Sequence, residues 1–419
     1  MLNVCRRTAH TFGHTREGFT RARGRPRVPA KWGPVVRRLA VRAMLPLALL
    51  AGVATQLRAE EPRPAATTDF AGLILHLSED PGKFHSDNFV SNEPGYPSAI
   101  EGLRALGIHG GAYIGVGPEQ NFSYLAALQP ERAFVVDIRR ENTVQHLMYK
   151  ALFAAARNRL EFLELLLSRP PPNAPEGESS RAAMSVQELL TAVDSRGASM
   201  KACEQTIDSV SARIEENFGF PLTDKDRVTL RHIHSAFAEA GLSIHYSSPK
   251  AVKQEPTLRE LMLARDTYGN HVHFLASEKD FQFVKQLHAR DRIVPVTGDF
   301  AGRQALRKAG EFVRDRGEVV SAFYLSNVEQ YLRGAQYAAF VENVRRLPLN
   351  DRSVLIRCAF EKPTQRLPGD HSEQADGQFW PHALLLQRAQ RFVELYDEGA
   401  FLTHEDLARQ DYLDWTSGR

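Results

Sequence analysis

Cysteine is almost absent from this chain: three residues in 419, at positions 5, 203 and 358, with no CxxC pair. Such usage supports neither a disulfide framework nor a cysteine zinc site; Cys203 and Cys358 are expected to be two buried free thiols, with a pair between them as the alternative once residues 1–59 are removed. Three catalytic strings are missing as well. There is no GxxxxGK[ST] phosphate loop, no GxSxG nucleophile elbow and no HExxH metal pair, which argues against a P-loop ATPase, a Ser-His-Asp hydrolase and a zincin. The apolar run from Ala43 to Ala54 holds twelve residues, too few to cross a hydrocarbon layer of about 30 Å. Excess positive charge is missing from the body. Residues 1–59 carry twelve Lys and Arg against one acid, Glu17, and the remainder holds 41 basic against 49 acidic residues. A mildly acidic body lacks the concentrated basic face of a nucleic-acid binder, so no nucleic-acid partner is expected.

What the N-terminus does contain has the order of a secretory signal. Arg37, Arg38 and Arg42 precede the apolar run, and Leu57-Arg58-Ala59 offers a small-residue exit. Residues 1–59 are therefore expected to be a signal or targeting segment, and 60–69 a linker. The expected destination is outside the cytoplasm, in a periplasm, with no stable membrane span after cleavage. A basic tail on a cytoplasmic protein is the alternative.

In the body, periodicity switches repeatedly between strand and helix. Apolar strands are predicted at GAYIGVG (111–117), AFVVDI (133–138), RIVPVTGD (292–299), VVSAFYLSN (319–327) and SVLIRCAF (353–360). Helices are predicted over 70–80, from a Ser98 cap to Leu106, over 119–128, 303–317 and around Phe340–Arg346, and the segment 383–415 is read as helical. Between the second and third strands lies a mostly helical stretch, 143–285, broken by the surface loop PPPNAPEGESS (170–180). Strands alternating with helices predict an α/β, doubly wound, mostly parallel sheet. Its two parts, 70–142 and 286–419, are separated by a large helical insertion between strands 2 and 3.

In such a sheet, ligands bind at the carboxyl ends of the strands. Four places there stand out. Gly115 and Gly117 end the first strand, where missing β-carbons let a ligand approach the backbone. Asp137 ends the second, 22 positions after Gly115, and can accept hydrogen bonds from two ribose hydroxyls. Asp299 and Phe300 follow the third, an acid and a ring suited to an adenine amine and its face. Asn327 ends the fourth. The dinucleotide fingerprint is incomplete, because Gln120 stands where the third glycine belongs, which moves the site away from NAD.

Over residues 98–142 and 290–360, the glycine-ended strand, the following acid, the GD pair and the polar fourth strand end resemble the class I S-adenosylmethionine-dependent methyltransferase fold. The resemblance implies that Gly115 and Gly117 line the methionine portion of S-adenosylmethionine, Asp137 the ribose, and Asp299 with Phe300 the adenine. It places Asn327 where a substrate or catalytic group sits. The long helical insertion departs from that family, and so does the ending SNVE, so no substrate carries over. The strings FLASE, GDFAG and FYLSNVEQYL are also similar to a little-characterised bacterial family with no assigned activity. A non-catalytic, exported ligand-binding or envelope-associated protein on the same fold is the competing expectation.

Two HxH pairs remain. His232 and His234 fall in a helical stretch, where residues i and i+2 point about 200° apart. His271 and His273, in HVHF, would share one face of a strand. No carboxylate at fixed spacing supports either pair, so no metal site is expected. Asp266, Tyr268 and Asn270 form a polar turn, read as a loop over the sheet.

Overall fold

The computed structural model describes residues 69–171, 177–247, 255–360, 382–403, 406 and 411–415. The signal-like segment 1–59 lies outside the described residues, as does the linker up to 68.

In chain order, α1 (Phe70–Leu77) and α2 (Tyr96–Ala105) precede β1 (Ala112–Gly115), α3 (Gln120–Leu128) and β2 (Arg132–Asp137). A run of helices follows: α4 (Arg140–Ala155), α5 (Arg159–Leu166), α6 (Glu178–Ala183), α7 (Val186–Asp194), α8 (Met200–Ala212), α9 (Asp224–Ala240), α10 (Leu258–Leu263) and α11 (Glu278–Ala289). The chain then returns to the sheet with β3 (Ile293–Thr297), α12 (Ala305–Arg314), β4 (Val320–Ser326), α13 (Ala335–Arg345), β5 (Val354–Phe360), β6 (His382–Arg388) and α14 (Ala389–Asp397).

The six strands form one sheet in the order β3-β2-β1-β4-β5-β6. All neighbours are parallel except β5 and β6, which are antiparallel. The inner strands are near-continuous apolar runs because helices cover both faces. Ile114, Phe134, Val135, Val136 and Phe323 are all fully buried in one core cluster. The order reverses between β1 and β4, so the two chain directions diverge there and open a crevice at the strand tips.

The fold class is therefore α/β with a mostly parallel, Rossmann-like sheet, and the described part of the connection from β2 to β3 carries eight α-helices, α4 to α11, with loops and two isolated β-bridges between them. Several helix starts in that connection carry a sequence-level signature. Ser185 with Glu188, Thr223 with Asp226, and Thr257 with Glu260 each form a reciprocal capping box at α7, α9 and α10. Asp226 also receives both arms of Arg140 at 2.8 Å each, which ties the start of α9 to the start of α4.

Four expectations need correction. The segment 383–415 is not helical throughout: His382–Arg388 is an edge strand, and the helix is only Ala389–Asp397. HALLLQR is a short apolar run that periodicity cannot assign, and pairing along the whole of β5 decides it. Helix α2 starts at Tyr96 rather than after Ser98, because Pro97 occupies the first turn with its φ already set. The run HVHF is not a strand; His271 makes one isolated antiparallel bridge to Arg265. The 170–180 loop is also shorter than its composition suggests, since α6 begins at Glu178, while 172–176 lie outside the described residues.

Candidate functional site

A cavity of about 280 Å3 opens at the carboxyl ends of β1 to β4. Its floor is built from Val116–Pro118 after β1, Val136–Arg139 at the end of β2, Gly298–Phe300 after β3, and Tyr324 with Ser326–Val328 at the end of β4. One side is closed by the loop between α1 and α2 (Lys83, Phe84, His85, Asn88, Ser91, Asn92), the other by Tyr331, Leu332 and Gln336. Phe84 and Tyr331 meet edge to face across it, with ring centroids 5.3 Å apart.

Five of the residues singled out from sequence lie on this wall: Gly117, Asp137, Asp299, Phe300 and Asn327. Gly115 differs. A β-carbon there would come within 2.0 Å of Asn121 Oδ1 and 2.7 Å of the Tyr113 hydroxyl, so its glycine makes room for the protein's own packing. Gly117 is the position that leaves space for a ligand: its φ is +77°, and a β-carbon would meet nothing closer than Asn88 Nδ2 at 3.7 Å.

The turn after β1 is held from below. Asn121 Nδ2 donates to the carbonyls of Val116 (2.9 Å) and Pro118 (2.7 Å), while its Oδ1 accepts from Tyr113. His146, on α4, sits 2.9 Å from the Gly117 carbonyl through Nε2. Burial pushes its pKa down to about 4, so the ring is neutral at physiological pH and donates from Nε2 in that tautomer.

The GDFAG turn is likewise built around an internal group. Glu79, just after α1, accepts from the backbone N–H groups of Asp299 (2.9 Å) and Gln304 (3.2 Å). A β-carbon on Gly302 would fall 2.0 Å from Glu79 Oε1. Asp299 Oδ1 accepts from Ala301 N at 2.8 Å, which fixes the turn that presents Phe300. The Phe300 ring packs edge to face on Phe323 at 4.9 Å.

Asp137 carries the main surprise. Arg139 donates to it from its backbone N (2.8 Å), from Nε (3.1 Å) and from NH2 (3.0 Å), and both side chains are nearly buried. Burial acts against the Arg139 charge, but the carboxylate outweighs it and raises the pKa. The acid expected to face a ribose thus has an internal cation on it.

Sequence reasoning also missed a polar cluster under the β4 end. Glu93 is buried, and Tyr324 OH (2.7 Å) and Ser326 Oγ both donate to it. Burial raises its pKa, with Ser326 and Tyr324 opposing. Ser326 adopts φ +49° at a register shift between β4 and β5, a strained conformation of the kind that clusters at ligand sites. Nearby, burial pushes Glu119 up to about 7, although its Oε1 accepts from Ser91 N at 3.1 Å. The sequence signal for both acids was their place in or beside Pro/Gly loops, which reads equally as a solvated turn.

A second, more polar cavity of about 400 Å3 adjoins the first between the 82–89 loop and α9, and shares Lys83, Phe84 and Arg139 with it. The histidine pairs stand apart. His234 is buried against Cys203 Sγ (3.4 Å), and His232 is exposed near Asp87. His273 is buried, its Nδ1 accepting from Leu275 N, and burial pushes its pKa down to about 3. Among the described residues, no three His, Cys, Asp or Glu side chains converge as a metal-holding group. Among the same residues, no helix is long and apolar enough to cross a membrane. Cys203 and Cys358 are both free and buried.

Fold and cavity together define a Rossmann-like α/β protein with a ligand-sized crevice at its topological switch point. Within that class, the chain matches the family described as Domain of unknown function (DUF7790) over residues 89–171 and 186–410, and belongs to it. No curated protein matches the chain.

Proposed function

We propose that the protein binds S-adenosylmethionine in the cavity over β1–β4 and is a methyltransferase-like protein of the class I type. The observation that carries this reading is the convergence of Gly117, Asp137, Asp299, Phe300 and Asn327, from four separate strand ends, on one cavity wall. The donor set fits an adenosyl ligand in kind: an open left-handed glycine, a carboxylate for a diol, an acid beside an aromatic ring. Two misfits are local: Arg139 contacts Asp137, and the Phe300 ring is buried against Phe323 and Phe340.

When bound, the cofactor would supply an electrophilic methyl group on a sulfonium. The protein's part is to bind and orient it. Gly117 admits the methionine portion, Asp137 accepts from the ribose, and Asp299 with Phe300 receives the adenine. Asn327, at the mouth beside Tyr331, faces the acceptor side, with the Glu93–Ser326–Tyr324 cluster beneath. Export through the N-terminal segment belongs to the same reading, and N-terminal sequencing of the protein from its own cells tests it by finding, or not finding, a new terminus near Ala59.

Titration of the full chain with S-adenosylmethionine and S-adenosylhomocysteine, by calorimetry and thermal shift, tests the ligand. Saturable binding is expected, and no binding at millimolar ligand would sink the proposal. The second reading, a non-catalytic ligand-binding or envelope-associated module, is favoured by the internal cation on Asp137, and that negative result would select it.

A further inference from the structure

The contact between Arg139 and Asp137 is in the way of the ligand proposed above. A carboxylate oxygen has two lone-pair sites. Asp137 Oδ1 already accepts two N–H groups, the backbone N and Nε of Arg139, and Oδ2 accepts a third from NH2. The backbone contact is a local turn that can persist, because it is made by the chain itself. The guanidinium contacts are different: they complete Oδ1 and take one of the two sites on Oδ2, leaving one free acceptor site where a vicinal diol would use one on each oxygen.

The guanidinium also has somewhere to go. Arg139 lines both cavities, and the second one is lined by Glu141, two residues further along at the start of α4. Glu141 is partly exposed and pairs with Lys225 at 3.2 Å, itself three-quarters exposed. Exposed pairs of that kind contribute little, so re-pairing Glu141 with Arg139 is cheap. A bidentate fork moved from one carboxylate to another keeps its charge-assisted bonds.

We infer that Arg139 sets the affinity of this site by competing with the ligand's ribose diol for Asp137, and that binding transfers the guanidinium to Glu141 in the adjoining cavity. The inference rests on the adenosyl reading and adds to it a regulating residue. Exchange links the two cavities: a group that draws Arg139 into the second one strengthens binding in the first, and by reciprocity a ligand in the first opens Glu141's pairing in the second.

The test is calorimetric titration of S-adenosylhomocysteine into the full chain and two variants, with folding checked by circular dichroism. Arg139→Gln is expected to bind roughly tenfold tighter, the size of one competing hydrogen-bonded contact removed. Glu141→Gln, a partly exposed position that leaves the fold intact, is expected to bind about threefold weaker because the displaced fork loses its new partner. Equal or weaker binding by folded Arg139→Gln overturns the inference while leaving the ligand reading in place. Should Arg139→Gln fail to fold, an unchanged affinity in Glu141→Gln overturns it by itself. No binding by either the unaltered chain or Arg139→Gln is the failure of the adenosyl reading, and the inference falls with it.

Discussion

Two buried arginine–carboxylate pairs sit at opposite sides of the same sheet, and they are used differently. On the β5 side, Arg357 donates to Glu329 through Nε (2.7 Å) and NH2 (2.8 Å), and both residues are essentially sealed from solvent. Every remaining arm has a partner: Tyr337 donates to Glu329, and Arg357 NH1 donates to Gln387 on β6. The pair joins β5 to β6 and to the segment after β4, and its partners are far apart in sequence. Burial alone would lower the Arg357 pKa, but the Glu329 carboxylate raises it. On the β2 side, Arg139 and Asp137 are two residues apart and face a cavity. The acids around that cavity, Glu93 and Glu119, accept from neutral donors. One region locks its charge away; the other holds charge where a ligand can reach it. A buried ion pair is weak evidence of function by itself, and the neighbouring cavity is what separates the two cases.

The sharpest way to break the comparison is to cut the sealed pair. Arg357→Ala strands Glu329 in the core, and a loss of about 3–5 kcal/mol in denaturant-derived stability is expected. A loss comparable to that of Asp137→Ala would mean the two pairs are not different in kind.

Glu119→Gln probes the acids beside the cavity. Burial lifts its folded pKa to about 7, above the ordinary carboxyl value of 4.5. The folded state therefore holds its proton where the unfolded chain has released it. The stability this contributes is complete below pH 4.5 and is lost as pH rises through about 7. The unaltered protein should lose up to about 3 kcal/mol across that window from this one group. Glu119→Gln should remove that slope and gain stability at pH 8, as read from denaturant midpoints at several pH values. His146 works in the opposite direction. Its depressed pKa, about 4, gives stability that is present above pH 6.5 and lost as pH falls through 4.

Asp137→Ala should cost less stability than Arg357→Ala, about 1–3 kcal/mol, because the stranded Arg139 borders a cavity and its α4 neighbour Glu141. It should weaken S-adenosylhomocysteine more than tenfold. An unchanged affinity would remove the ribose assignment. The smallest effect belongs to Gly117→Ala. The left-handed backbone should make it cost about 1 kcal/mol, and the added methyl, which meets nothing within 3.7 Å, should reduce ligand affinity through the cavity alone. A thermal melt and one titration read both.

Much of the framework was legible because it rests on short-range rules. The five parallel strands announce themselves as apolar runs, since strands covered on both faces cannot alternate. Thr223 with Asp226 and Thr257 with Glu260 start helices by a rule just as local, although the one cap read from the sequence, Ser98, falls inside α2. Gly117, Asp137, Asp299, Phe300 and Asn327 could be placed at strand ends, and strand ends in a parallel sheet share one edge. What escaped was everything set by partners distant in sequence. The strand β6 exists because β5 offers an edge to pair with. Gly115 looked like an opening for a ligand, whereas Asn121, brought over it by the turn into α3, fills it. Glu93, in a Pro/Gly loop, gives no sign that it will be buried under Ser326, 233 positions away.

The sequence by itself determined the α/β class and the strand ends that carry the polar residues. It could do so because periodicity and turn chemistry act within a few residues of each other. Only the tertiary structure decided which of those residues face open space. Arg139 follows Asp137 by two positions in the string DIRRE, but whether it points to solvent or folds back onto the carboxylate depends on what packs around both. The long helical connection, through α9 and its hold on Arg140, builds the adjoining cavity that Arg139 borders. Burial is a property of the whole assembly, and it is burial that turns a common pair of charges into a contact a ligand must displace.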